Sequence, residues 1–309
     1  MTPIAPSGEN SILDVVIVGG GPAGLSAGLV LGRCRRRVLV CDSGRPRNYV
    51  SGRLHGFLTR DCSDPADLRR VGREQLQRYE TVEVRDVSVL NAHRRESAFE
   101  VELEAGERIF CRKLLLATGL RDEVPQIDGF EELYGKSAFH CPYCDGWEWR
   151  DRAVAIYGQG EKGRGLALEL LGWSGDVMLF TDGDAEIAEA ERDELARNGI
   201  KRWDSPILRL AGHDGKLRSI ILAGGQEVRR DVLFFSAPSV QTCALASTLG
   251  CDFNARGSVD TGNYEETNVP GVYVAGDASR HAGLAIVAAA EGARAAFAIN
   301  NELLREDRV

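Results

Sequence analysis

Two cysteines three positions apart carry the clearest chemical signal in this 309-residue chain. Cys141 and Cys144 form a CxxC motif, and Asp145 directly follows the second cysteine. Two sulfurs so spaced at a helix start can form a reducible disulfide, because the helix N-terminus favours a thiolate. A neighbouring carboxylate can relay the proton that the exchange requires. The pattern predicts a redox-active pair, with Cys141, Cys144 and Asp145 as catalytic residues.

The same motif is also compatible with half of a zinc site or with two buried thiols. A structural zinc ion needs four ligands, usually supplied by a second CxxC or a histidine pair. The six remaining cysteines lack that spacing, and Cys243 and Cys251 are eight residues apart. We therefore predict no metal site.

A glycine-rich turn near the start of the chain predicts dinucleotide binding. The apolar run 13–18 precedes the segment GGGPAG at 19–24, a small-residue helix follows, and Asp42 ends the next apolar run. In this pattern Gly19 permits the tight turn, Gly21 lets the backbone approach a pyrophosphate, and Gly24 lets the helix pack on the strand. The helix N-terminus attracts the phosphates, and the acid accepts hydrogen bonds from a ribose.

The pattern recurs in the middle of the chain, after the apolar run 153–157. Gly158, Gly160 and Gly163 have GxGxxG spacing, and Asp182 follows the next apolar run. The interval from the first glycine to the acid is 23 residues in the first unit and 24 in the second. Two matches with correct flanks predict two dinucleotide-binding domains, although a glycine turn without a ligand remains the alternative for each.

Elements that could position these groups recur at two further places. The segment LLLATG at 114–119 and the segment TNVPGVYVAGD at 267–277 each read as an apolar strand that ends in a turn. Such turns suit the carboxyl edge of a parallel sheet, where α/β folds bind ligands. Asp277 is expected to face a polar ligand there.

Bulk composition excludes several function classes. The net charge of −8 disfavours nucleic acid as a general partner. The chain has no apolar run of about 18 residues, so we predict no membrane span. Its first residues lack a charged-then-apolar signal pattern, so we predict a cytoplasmic protein.

The motifs GGGPAGLSA, ATG, CPYCDG and TNVPGVYVAGD occur in this order along nearly the whole chain. The chain thereby resembles the low-molecular-weight thioredoxin reductases and their relatives. The resemblance implies an α/β fold with two Rossmann-like dinucleotide-binding domains, each of three layers, the second inserted into the first. Residues 1–119 and 241–309 would form an FAD-binding domain, and 120–240 a pyridine-nucleotide-type domain that carries the CxxC. It also implies a homodimer.

The resemblance also implies roles for individual residues. Cys144 would face the flavin, Cys141 would be the thiol that meets the partner, and Asp145 would manage protons. Pyrophosphate, ribose and flavin contacts would come from Gly19, Gly21, Ala23, Gly24, Asp42, Asn48, Thr118, Gly119, Gly276 and Asp277. In the inserted domain a second nucleotide would contact Gly158, Gly160, Gly163 and Asp182.

The chain departs from the NADPH-dependent members of that family at the electron-donor site. Those members carry a His-Arg-Arg run where this chain has the acidic segment 180–186, FTDGDAE. Their C-terminal Arg-Gln-Ala is also missing, and the segment 283–285, GLA, stands in its place. His140 precedes the first cysteine, where it could lower the pKa of Cys141 or only pack. Trp147 and Trp149 could stack on a ring or belong to core or surface.

These observations predict an FAD-dependent disulfide oxidoreductase that exchanges electrons between flavin, the cysteine pair and a thiol or disulfide partner. The partner would be a thioredoxin-like protein or a small dithiol or disulfide. The second nucleotide would be NADH or a second FAD. The alternatives are a thioredoxin reductase driven by NAD(P)H, a flavin-dependent dithiol oxidase, and a flavin-binding module with structural cysteines.

Overall fold

A computed structural model describes residues 12–183, 188–236, 238–279 and 283–308. They fall into two compact units. The first unit contains the described residues of 1–49, 57–121 and 240–309, and the second contains those of 50–56 and 122–239. Within the described residues, no helix combines the length and apolar character of a membrane span.

The helices and strands are numbered in chain order. The first unit takes its elements from both ends of the chain, and the second takes most of its elements from the middle. The N-terminal stretch contributes β1 (Leu13–Val18), α1 (Pro22–Arg33), β2 (Val38–Cys41), α2 (Pro65–Leu76), β3 (Val82–Arg85), β4 (Val89–Arg94), β5 (Phe99–Leu103), β6 (Arg108–Leu116) and β7 (Leu120–Asp122). The middle of the chain contributes α3 (Phe130–Leu133), β8 (Ala138–Phe139), α4 (Pro142–Asp145), β9 (Val154–Tyr157), α5 (Gly160–Leu170), β10 (Val177–Phe180), α6 (Glu189–Arg197), β11 (Lys201–Trp203), β12 (Ile207–His213), β13 (Lys216–Leu222), β14 (Glu227–Arg229), β15 (Val232–Phe235) and β16 (Ser239–Gln241). The C-terminal stretch contributes α7 (Leu245–Thr248), β17 (Val272–Val274) and α8 (Ala285–Glu306).

A sheet of seven strands organises the first unit. Its order is β3-β2-β1-β6-β5-β4, and β17 pairs with the second half of β6. Strands β1, β2, β3, β6 and β17 are parallel, so their carboxyl ends meet at one edge. Val15 and Ile17 face the core shared with α1 and α8, whereas Val16 and Val18 face the opposite core. Burial on both faces explains the uninterrupted apolar runs.

The second unit contains a parallel sheet of order β11-β10-β9-β15-β8. Val154 and Ile156 pack with α5, and Ala155 packs on the opposite face, against the antiparallel sheet β12-β13-β14. Strand β8, which leads into the CxxC, lies two strands from β9, which leads into the second glycine turn. The predicted α/β class is confirmed.

Candidate functional site

The turn between β1 and α1 has the close approaches that a dinucleotide cradle requires. Gly19 has a φ of +116°, and a Cβ there would lie 2.2 Å from the carbonyl oxygen of Ala117. A Cβ on Gly24 would lie 1.9 Å from the carbonyl oxygen of Gly19, so the helix packs directly on the strand end. A Cβ on Gly21, however, would meet no described atom within 4 Å. The turn is therefore open where a pyrophosphate would approach.

The N-terminus of α1 is suited to an anion. Gly21 is the N-cap, no side chain of the described residues caps the helix, and its first turn has no acidic residue. Its first amides consequently lack intrahelical partners, and the helix dipole adds positive potential. The residues present fit the pyrophosphate of a dinucleotide cofactor.

Asp42 lies beside this turn at the end of β2, where its side chain is buried. The Gly44 amide donates to Oδ1 at 2.9 Å, and the Arg69 guanidinium donates to Oδ2 at 2.7 Å. A Cβ on Gly20 would lie 2.3 Å from the same Oδ2, so only glycine fits at that position. Each carboxylate oxygen keeps a lone pair for a further donor, such as a ribose hydroxyl. Sequence reasoning did not identify Arg69, which lies on α2.

Two more strand ends complete this edge. Gly119 follows β6 with a φ of +67°, and Gly276 follows β17 with a φ of +82°. The Gly276 amide donates to the buried carboxylate of Glu291 at 2.8 Å. A Cβ on Gly276 would lie 3.2 Å from the Cβ of Ala23. The turn after β17 therefore contacts the glycine turn after β1. Glu291 was also missed by sequence reasoning.

Asp277 forms an ion pair with Arg47, and the two groups are 2.8 Å apart. Arg47 immediately precedes Asn48 in a turn that follows β2. Arg47 lies in the segment RPRN at 45–48, in which sequence reasoning identified only Asn48 as a flavin contact. The structure thus brings the strand-end residues predicted to contact FAD to the carboxyl edge of one sheet. Their assignment to FAD stays a prediction.

In the second unit Cys141 and Cys144 form a disulfide, with Cα atoms 5.3 Å apart. Cys141 is the N-cap of α4, which is only four residues long and begins with Pro142. So short a helix has a small dipole, but the Cys144 amide donates to the Cys141 sulfur at 3.1 Å. A local hydrogen bond, more than the helix dipole, therefore stabilises the negative charge that develops on the Cys141 sulfur as the disulfide opens.

Asp145 ends α4 beside the disulfide. Burial raises the pKa of its carboxyl from 3.8 to about 7, and the nearby charge of Glu148 adds to this rise. A group with this pKa can both give and take a proton near neutrality. Glu148 lies one helical turn further on, and its Oε1 is 3.7 Å from Nδ1 of His55. An acid-base cluster therefore adjoins the disulfide within the second unit.

His140 takes part in a different cluster. Its Nε2 lies 3.7 Å from the Asp122 carboxylate, and its ring packs edge-on against Phe235 at 6.0 Å. These contacts show a packed histidine paired with an acid. Its predicted effect on the pKa of Cys141 stays a prediction.

The two tryptophans after the CxxC have different surroundings. Trp147 is exposed, with the guanidinium of Arg150 stacked 4.2 Å above its ring. Trp149 packs against Phe139, with the ring centres 6.2 Å apart. Of the three roles that the sequence left open, Trp147 is therefore a surface aromatic, and Trp149 packs against the core.

The second glycine turn joins β9 to α5. A Cβ on Gly163 would lie 2.4 Å from the carbonyl carbon of Gly158, which again brings the helix onto the strand end. Gly160 has a φ of +52°, and a Cβ there would meet no described atom within 4 Å. The residues present fit a second dinucleotide, although the first turn of α5 includes the acidic Glu161.

Asp182 lies after β10, as predicted, but its carboxylate already has two partners within the unit. The Ile207 amide donates to Oδ1 at 2.8 Å, and the Tyr157 hydroxyl donates to Oδ2 at 3.1 Å. Burial, followed by the adjacent Asp182 charge, raises the pKa of Tyr157 to about 12. Asp182 thus anchors the strand-end loop, and a ribose would have to share it.

The other acidic residues of the donor segment, Asp184 and Glu186, lie outside the described residues. Arg164 lies on α5 next to the second glycine turn, where a cation could contact a nucleotide phosphate. Its guanidinium instead pairs with Glu191 at 3.2 Å and with Glu194, both on α6. This double pairing opposes its use as a phosphate ligand.

Comparisons with known proteins agree with this geometry. The family model described as pyridine nucleotide-disulphide oxidoreductase matches residues 13–292. The chain is 34% identical to the thioredoxin reductase tcpT of Claviceps purpurea over 279 residues, or 87% of each protein. It superposes on a putative thioredoxin reductase from Bacillus anthracis with a TM-score of 0.91, 31% identity, and coverage of 96% of this chain and 99% of that one. For a solved structure of HlmI the TM-score is 0.93 at 37% identity, with 97% and 95% covered.

Proposed function

Because this chain belongs to the pyridine nucleotide-disulphide oxidoreductase family, we propose that its Cys141–Cys144 disulfide exchanges electrons with bound FAD and then with a thiol or disulfide partner. The predicted family, fold with two Rossmann-like domains, and class of enzyme, an FAD-dependent disulfide oxidoreductase, are confirmed. The observation that carries the proposal is the disulfide beside a carboxyl whose pKa is about 7.

The first unit would hold FAD, through the open turn at Gly21, the N-terminus of α1, and the strand-end residues Asp42 and Asp277. Bound FAD would supply two-electron transfer. The protein's own part of the reaction is to open a disulfide, which requires two electrons and one proton if one sulfur stays a thiolate. We propose that Asp145 gives that proton to the departing sulfur of Cys141, and recovers it in the reverse direction.

The second unit would hold a nucleotide that lacks a 2′-phosphate, such as NADH or a second FAD. Two features support this proposal: Asp182 stands at the end of β10, and Arg164 is neutralised by two glutamates. A phosphate carries nearly two negative charges at neutral pH, so it needs cations at this edge. This preference favours a disulfide oxidoreductase that uses NADH or a second FAD over a reductase driven by NADPH.

The partner would be a thioredoxin-like protein or a small dithiol or disulfide. Tyr143, between the two cysteines, is exposed and packs edge-on against Trp173 with ring centres 5.6 Å apart. An exposed aromatic side chain beside the disulfide could contact either kind of partner. A homodimer and a cytoplasmic location remain our predictions.

Anaerobic titration of the purified protein with dithiothreitol, without nicotinamide, tests the proposed electron path. We expect the flavin absorbance to bleach in the wild type, because electrons pass from the dithiol through the disulfide. Cys141→Ser and Cys144→Ser should each lose rapid bleaching. Cys34→Ser is the matched control, since Cys34 is an exposed free thiol, and it should behave as the wild type.

Equal bleaching in the wild type and in both CxxC variants would contradict the proposal, as would a wild type whose flavin dithiothreitol does not reduce. The same preparation should be denatured and every released nucleotide identified. FAD alone, two FAD molecules, or FAD with a nicotinamide nucleotide would then define what occupies the two units.

A further inference from the structure

An ion pair in the first unit joins two turns that lie far apart in the sequence. Arg47 lies in the turn after β2 and Asp277 lies after β17, 230 residues later, yet their charged groups are 2.8 Å apart. Both side chains are largely buried, at 22% and 18% exposure. Because both groups are largely shielded from water, each is solvated chiefly by the other.

The pair lies beside the first glycine turn. Asp277 follows Gly276, whose Cβ position is 3.2 Å from the Cβ of Ala23 in that turn. The guanidinium also approaches Gly283, where a Cβ would lie 3.1 Å from Nη1 of Arg47. Arg47 therefore occupies the space that a side chain at residue 283 would need, and it does so at the edge where the cradle opens.

The charges at this edge explain why a cation is needed. Asp42, Asp277 and Glu291 bring three carboxylates to the strand ends, and Glu291 accepts the Gly276 amide. Arg69 neutralises Asp42, and Arg47 neutralises Asp277. The pyrophosphate of a dinucleotide would add two negative charges at a turn whose helix carries no cation in its first turn. Without Arg47, the ligand would meet an unpaired, largely buried carboxylate.

We propose that Arg47 is a positioning residue for the dinucleotide cofactor: it holds Asp277 in place and cancels its charge, so that the anionic ligand can bind the first glycine turn. The inference rests on the proposed FAD site. Arg47 acts through Asp277, so its removal should weaken binding even where the fold is unchanged. Removal of the Asp277 charge should then restore part of the lost affinity.

The test is FAD binding by the apoprotein. Flavin is stripped from the wild type and from Arg47→Gln, Arg47→Lys and Arg45→Gln, and FAD is titrated back while its fluorescence is followed. Arg45 is the matched control, because it is an exposed arginine two residues away. We expect Kd to rise about tenfold or more in Arg47→Gln, as loss of a hydrogen bond between charged groups predicts. Arg45→Gln should stay within about twofold, and Arg47→Lys should recover most of the affinity.

A second comparison separates positioning from a general structural role. The double variant Arg47→Gln/Asp277→Asn keeps a hydrogen-bond acceptor at residue 277 for the cofactor but lacks the unpaired charge, so it should bind FAD more tightly than Arg47→Gln alone. The Arg47→Gln apoprotein should melt below Arg45→Gln, because its Asp277 carboxylate is unpaired, but well above the temperature of the titration, so that its weaker FAD binding does not come from unfolded protein. Wild-type affinity in Arg47→Gln, or no recovery in the double variant, would overturn the inference. A wild-type apoprotein that takes up no FAD would instead overturn the proposed function on which it rests.

Discussion

Replacement of Asp145 by asparagine is the sharpest perturbation of the proposed chemistry. The carboxyl has a pKa of about 7 in the folded protein, raised from 3.8 chiefly by burial. At pH 7 about half of the molecules would therefore hold the proton, against fewer than about one in a thousand for an ordinary aspartic acid. Asparagine has nearly the same shape but no proton to give.

We expect Asp145→Asn to slow the opening of the Cys141–Cys144 disulfide at pH 7 by about 100-fold or more, the usual contribution of a positioned acid. The flavin is photoreduced without oxygen, and the recovery of its absorbance is followed as electrons enter the disulfide. In the wild type this rate should fall as pH rises through about 7, because the protonated form disappears. The rate of dithiol-driven bleaching should rise over the same range, because the carboxylate then acts as the base.

Glu148→Gln provides the graded control. It removes the smaller of the two causes that raise the pKa of Asp145 and leaves burial in place. The midpoint of the pH profile should move to lower pH without reaching the ordinary value. A wild-type rate in Asp145→Asn, or a flat wild-type profile between pH 6 and 8, would refute the assignment of Asp145 as the acid.

The other predictions concern the cysteine roles, the glycine turn and the electron donor. Cys141→Ser should leave a thiolate at Cys144 and show a long-wavelength charge-transfer band, and the opposite pattern in Cys144→Ser would reverse the two roles. Gly24→Ala should lower the free energy of unfolding in urea by about 2 kcal/mol or more, because its Cβ would lie 1.9 Å from a carbonyl oxygen. Gly21→Ala, whose Cβ meets no described atom within 4 Å, should keep its fold, and equal losses in both variants would contradict this packing argument. NADPH should reduce the flavin poorly, because of the acid at the end of β10. If the Asp182 carboxylate lay about 4 Å from a 2′-phosphate, their repulsion would cost roughly 4 kcal/mol at an effective dielectric near 20. Fast, saturable reduction by micromolar NADPH in anaerobic stopped flow would rule this out.

Local patterns were the part of the fold that could be predicted from the sequence. Strand β1 has the bounds of the apolar run 13–18, and β9 begins one residue after the start of the run 153–157. Buried parallel strands produce continuous apolar runs, and the glycine spacing records close backbone approaches, so both are visible in a single sequence. The CxxC likewise formed its disulfide where the spacing indicated.

Contacts between distant segments could not be predicted in this way. Arg69 with Asp42, Arg47 with Asp277 and Glu291 with Gly276 join elements that no periodic pattern links. The pKa of Asp145 depends on burial, which its neighbours in sequence do not reveal. The predicted helix dipole at the CxxC also proved minor, because α4 ends after a single turn.

The first unit is assembled from segments that are far apart in the chain, which affects how it folds during synthesis on the ribosome. Strand β17 completes the pairing of β6, and Gly292 of α8 crosses α1 so closely that a Cβ there would lie 1.9 Å from the Ala23 carbonyl oxygen. About 250 residues separate the end of α1 from the start of α8, so at about 5–20 residues per second α8 is made roughly 13–50 s after α1. During that interval the second unit can fold, whereas the first glycine turn still lacks its packing partner, α8. Nascent chains should therefore become competent to capture flavin late in translation, and chaperones that shield the exposed face of α1 would act in this interval.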